Sequence, residues 1–204
     1  MTKRKRPTAA EFLAQLQHDR GYIETIQQRD ERIARMEAEL GRAEAPLVAE
    51  LRRAGAELES VWDLVNAKDR YPKLVPILLA HLERDYPQRI REGIARALAV
   101  PEARVGWDKL VRIFLAEDGP IDPVQGANEM KWSLHLAVAA AADASVLDEL
   151  IGLVADRRHG PHRSFFVDAL ARMNDQRARA ALEELRADPG LAEAFTRLEK
   201  RRRR

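Results

Sequence analysis

Arg91, Lys131 and Arg163 occupy the same position of three successive units of an internal repeat. Cations presented one per unit can grip a phosphate backbone or an acidic helix. They can equally form a ladder that pairs along the stack of units and binds nothing external. A second concentration of polar groups is Asp156-Arg157-Arg158-His159-Gly160-Pro161-His162-Arg163. Backbone amides at the start of the following helix, together with these cations, suit a phosphate or carboxylate. His159 and His162 alone, with no cysteine and no matched third ligand, do not make a metal site. Solvated turn residues or helix caps are the other reading of that segment. Trp132 and His135 lie three apart, hence on one face of a helix, and an aromatic beside Lys131 has the composition of a binding hot spot. The competing reading is a tryptophan plugging the junction beside Ala-rich 137–142, and Trp62 and Trp107 are expected to pack in the core. The chain has no glycine-rich phosphate loop, nucleophile elbow or H-E-x-x-H. Glu183-Glu184 suits a solvated face, so no catalytic residue and no cofactor is expected.

The elements that position these residues follow from the repeat. Shifting 71–99 by 72 positions lays Leu78, Leu79 and Leu82 on Leu150, Ile151 and Val154, and Arg91, Ile94, Ala97 and Leu98 on Arg163, Phe166, Ala169 and Leu170. Between them, Leu110, Val111 and Phe114 match at an offset of 32, but Lys131, Leu134, Ala137 and Val138 match at 40. The eight extra residues fall within 117–128 (EDGPIDPVQGAN), an insertion of the kind that maps to a surface loop. The helix pairs expected are 45–55 with 58–67, 72–83 with 87–99, 106–116 with 128–142, 145–156 with 161–173, and 177–187 with 190–200. Pro46 and Pro72 suit first turns, and Asp85-Tyr86-Pro87, Gly119-Pro120, Gly160-Pro161 and Asp188-Pro189-Gly190 suit the turns between. Ahead of the pairs, Thr8 and Glu11 form a capping box. Leu16, Ile23, Ile26, Ile33, Met36 and Leu40 then recur at three, four and seven, one apolar stripe to about residue 42. Asp19 and Asp30 interrupt that stripe as a coiled-coil seam and Gly21 weakens its helix, so packing along the repeats competes with a homodimer.

Two-helix units of 32–40 residues with this apolar spacing resemble HEAT repeats, and within that class the short bacterial proteins related to phycobilin lyases. The segments that carry the resemblance are YPKLVPILLAHLERDYPQRIREGIARALAV, KWSLHLAVAAAAD and VLDELIGLVADRRHGPHRSFFVDALARM, within about 45–187. The resemblance implies an all-α fold, a right-handed α-α superhelix of about five helix pairs, with the second helices lining a concave face. It also implies a turn Asp pairing with an Arg six residues later. Asp85 and Arg91 keep that spacing, whereas Gln125 and Arg157 stand at the turn positions for Lys131 and Arg163, with Asp156 one residue further away.

The expected organisation is a basic tail (1–7), a helical extension (8–44), the repeat domain (45–199) and a second basic tail (200–204). Lys3, Arg4, Lys5, Arg6 and Lys200 to Arg204 supply nine positive charges; the remainder has 26 basic against 33 acidic residues. The body is therefore acidic and its ends basic. No cysteine is present, so no disulfide framework forms. The basic start lacks an apolar run and the longest apolar stretch, Leu136 to Ala142, is too short for a bilayer, which points to a cytoplasmic protein. The function expected is a non-catalytic scaffold or adaptor holding a protein partner on the concave face through Arg91, Lys131, Trp132 and Arg163. Nucleic-acid binding through the basic ends and the cation ladder stands as the alternative, and a bilin-lyase-like role rests on the resemblance alone.

Overall fold

The computed structural model describes residues 20–117 and 129–202, with the backbone alone at Arg20, Pro161, His162 and Arg202. The capping box at Thr8 and Glu11, Leu16, the first basic tail and residues 118–128 of the insertion lie outside the described residues. Among the described residues the fold is all-α, with no strand. The α-helices are α1 (Arg20–Arg53), α2 (Val75–His81), α3 (Gln88–Ala97), α4 (Trp107–Ala116), α5 (Glu129–Ala141), α6 (Leu147–Ala155), α7 (Ser164–Arg172), α8 (Gln176–Leu185) and α9 (Ala192–Arg202). Short 3-10 turns precede several of them, at Val61–Leu64, Pro101–Gly106, Ala144–Val146, Arg157–Arg163 and Pro189–Leu191. No helix among the described residues is long and apolar enough to cross a membrane.

The chain divides into two compact units, Met1–Ala43 and Glu44–Arg204. In the second, α3 packs against α5 and α5 against α7, so the second helices of successive repeats lie side by side. The first helices cover them: α2 on α3, α4 on α5 and α6 on α7, with α8 and α9 against α7. The repeat explains why. Leu78, Leu110 and Leu150 are fully buried, as are Ile94, Leu134 and Phe166, and Leu98, Val138 and Leu170. Equivalent positions of each unit thus supply one continuous apolar core, with volume traded between Leu82, Phe114 and Val154.

Three expectations are corrected. Pro46 does not begin a helix but lies inside α1, which runs unbroken to Arg53. A proline removes one backbone donor and strains the preceding turn, and here it sits on the exposed side while Leu47 and Leu51 are fully buried. The helix ends instead at Gly55, whose φ of 98° lets Ala56 N–H reach Leu51 C=O and Gly55 N–H reach Arg52 C=O. Residues 58–67 form no α-helix, only the 3-10 turn Val61–Leu64. Ser60 and Asp63 close a capping box on so short a segment, and the buried Glu44 carboxylate accepts from Ser60 Oγ (3.0 Å) and Val61 N–H (2.6 Å). Lys200 to Arg202, expected as a tail, continue α9.

Candidate partner-binding face

The repeat-equivalent cations turn inward, toward the ends of the first helices. Lys131 Nζ donates to the carbonyls of Phe114 (2.6 Å) and Glu117 (2.8 Å) at the C-terminal end of α4 and lies 4.4 Å from the Phe114 ring centroid. Arg163 does the same for α6, donating to Val154 C=O at 2.9 Å. It also donates to Gly160 C=O (3.1 Å) and to Asp188 (2.9 Å), and only 3% of its side chain is exposed. A cation on the last carbonyls of a helix satisfies orphan acceptors and meets the negative end of the dipole. Arg91 has a side-chain partner instead, Glu117 at 3.4 Å. These three side chains are therefore spent on partners within the chain.

The polar cluster is also paired within the chain, although Arg157 and Arg158 keep 75% and 87% of their side chains exposed. Asp156 accepts from the Arg158 guanidinium at 2.6 Å, and that pairing holds its carboxyl far below the usual range. Asp188 gathers Arg163, Arg157 (3.4 Å) and the N–H of Gly190, and its carboxyl is also lowered, chiefly by Arg163. His159 is buried against the Phe114 ring, 4.8 Å between centroids, and burial pushes its pKa down. His135 is fully buried against Phe114 and Phe166 and donates from Nδ1 to Lys131 C=O at 2.7 Å. The side chain of His162 lies outside the described residues. No group of three His, Asp or Glu that could hold a metal ion occurs among the described residues.

Groups turned to solvent lie on the other side of the second helices, and most were not singled out by spacing. The 3-10 turn sets the Trp62 indole against α3 at Gly93, where a Cβ would stand 2.6 Å from Val61 Cγ1 and 2.8 Å from Trp62 Nε1. Only glycine admits so close an approach. Four residues before Gly93 and three after it, on the same helix face, Arg89 and Arg96 hold their guanidinium carbons 4.1 and 5.8 Å from the Trp62 centroid. Arg96 is shared: its guanidinium carbon lies 4.1 Å from the Trp132 centroid on α5. Trp132 in turn meets Phe165 of α7 edge-on at 6.0 Å.

The result is a row, Arg89–Trp62–Arg96–Trp132–Phe165, that runs from the 3-10 turn across α3, α5 and α7. Arg96 Nε has no hydrogen-bond partner among the described residues, so the guanidinium is held by stacking and by a loose contact to Glu129 at 3.6 Å. Trp62, Arg96, Trp132 and Phe165 are each partly exposed and Arg89 is exposed. Trp62 is therefore not the core residue expected, whereas Trp107 is, at 1% exposure with its indole N–H on Glu149 at 2.7 Å. Further along, Asp168 of α7 faces Arg197 and Arg201 of α9 at 3.9 and 3.6 Å. A guanidinium between indoles with 27% of its side chain exposed offers its outer donors to carboxylates and flat apolar area at little entropic cost. Of the expected site residues, Trp132 alone joins this row. Comparison with protein-family models, curated proteins and solved structures finds no match to this chain.

Proposed function

We propose that the second unit is a short right-handed α-α superhelix of the HEAT-like kind, working as a non-catalytic scaffold or adaptor. The partner is a protein segment carrying carboxylates, held across α3, α5 and α7. The observation that carries this reading is the Arg89–Trp62–Arg96–Trp132–Phe165 row: partly exposed tryptophans and arginines in contact are the residue types that dominate binding energy at interfaces. Their cationic character stands out because the body of the chain carries more acidic than basic residues, so the row selects an acidic partner by charge. What supports the superhelix is the equal burial of equivalent positions in each repeat and the shared C-terminal capping by Lys131 and Arg163.

The test is quantitative affinity capture with the wild type, Arg89→Glu and Trp132→Ala, each shown by circular dichroism to keep its helix content. A row that carries the contact loses at least about tenfold in captured partner with either variant, the loss of one hot-spot residue. Undiminished capture by both folded variants rules the reading out. The same alternation of indole and guanidinium would also stack unpaired bases. A mobility shift with single-stranded nucleic acid that fades with salt would favour that second reading.

A further inference from the structure

Helix α1 carries a row of apolar residues that are exposed or partly exposed. Ile33 is 38% exposed and Met36 54%, with Ile26 and Leu40 partly exposed on the same side. Tyr22, Ile26, Arg29, Ile33, Met36 and Leu40 are spaced four, three, four, three and four, an unbroken alternation over just under three heptads. This phase differs from the stripe read through Ile23: it moves Asp30 off the seam to a flanking position. Ile23, 37% exposed, flanks this seam beside Tyr22, and the other positions of α1 up to Gly41, such as Glu24, Gln27, Gln28, Glu31 and Arg35, are polar or small. One face is thus apolar and the rest is not.

We propose that α1 pairs with α1 of a second copy of this chain as a parallel, in-register two-stranded coiled coil along this seam. Charge chooses the orientation. In the parallel arrangement each Arg32 flanks the seam opposite Glu37 of the other copy, five residues on, giving two attractive pairs. The antiparallel register that matches all six seam residues sets Asp30 against Asp30 and Arg32 against Arg32. Isoleucine at Ile26 and Ile33 suits the position that favours two strands. Arg29 is the single charge in the seam. Its Nε and Nη2 donate to the adjacent Asp30 at 3.1 and 3.0 Å, an exposed pair that leaves its alkyl stem available to the seam. One such polar seam position fixes register at a cost in stability.

Light scattering and sedimentation of the full chain test the pairing, with circular dichroism confirming that helices persist. The expected result is a mass approaching twice 23.2 kDa as concentration rises through the micromolar range. Ile33→Asp should weaken the dimer at least tenfold, as should Arg32→Glu, with Arg32→Glu/Glu37→Arg restoring it. Because the chain has no cysteine, Met36→Cys reports orientation cleanly. Parallel, in-register helices bring the two thiols together and oxidise to a covalent dimer, whereas antiparallel helices place them about 15 Å apart. A monomer at every concentration overturns the proposal, as does a dimer indifferent to Ile33→Asp. A dimer that Ile33→Asp abolishes but Met36→Cys does not cross-link overturns the parallel arrangement.

Discussion

Arg163 shows what a cation does when a fold encloses it. Its guanidinium is almost wholly buried and serves Val154 C=O, Gly160 C=O and Asp188 together, whereas Arg157 meets the same Asp188 from the surface with 75% of its side chain exposed. Removing one partner of a buried pair leaves an uncompensated charge and orphan acceptors. Arg163→Met should therefore cost about 3–5 kcal/mol, while Arg157→Ala should stay within about 1 kcal/mol. Urea unfolding of both variants measures the difference, and equal midpoints would refute the capping role. The sequence makes the equivalence of Arg91, Lys131 and Arg163 legible, because a repeat fixes the row in which a residue stands. It does not reveal which way that row faces: the acceptors are main-chain carbonyls that carry no side-chain signal. Trp62 reads as a core residue for a related reason. Its neighbour Val61 is core, and the glycine that seats its indole lies 31 residues away in the chain.

At the scale of elements, hydrophobic spacing located most helices, since each second helix buries the same four positions of its unit. It failed where a single local device overrides spacing. Pro46 reads as a start, yet α1 absorbs it on an exposed turn and stops nine residues later at a glycine C-cap. Residues 58–67 have enough apolar positions for a helix, but Ser60, Asp63 and Glu44 hold the backbone donors of a tighter turn. That turn presses on α3 at Gly93. Gly93→Ala would improve intrinsic helix propensity by about 1 kcal/mol at an ordinary site. Here its Cβ would enter the space of Val61 and Trp62, and overpacking of this kind costs about 1–3 kcal/mol. Thermal melting decides the sign: a lowered Tm is expected, and a raised one would mean that the turn yields freely.

At the scale of the whole molecule, ion pairs between elements contribute to the response to acid. Glu83 accepts from Lys109 at 2.6 Å and Arg112 at 2.5 Å, linking the end of α2 to α4, and these bonds lower its pKa from 4.5 to about 2. A carboxyl whose folded-state pKa is depressed stabilises the fold above its unfolded value and loses that contribution as pH falls through the folded one. The Tm difference between wild type and Glu83→Gln should therefore be largest above pH 4.5, shrink as pH falls toward 2 and vanish only below it. A difference independent of pH would show that the pair adds nothing.

Two of the three tryptophans stand in the row with Arg89 and Arg96, and the third, Trp107, is sealed in the core on Glu149. Indole emission responds to a neighbouring charge and to water, so Trp62 and Trp132 sense any occupant of the row directly. Trp107, shut off from water and outside the row, keeps its own charged neighbours Glu149 and Arg104 and supplies a constant reference. The placement that makes these side chains suited to contact also gives the protein a built-in optical gauge of its own occupancy, without any attached dye.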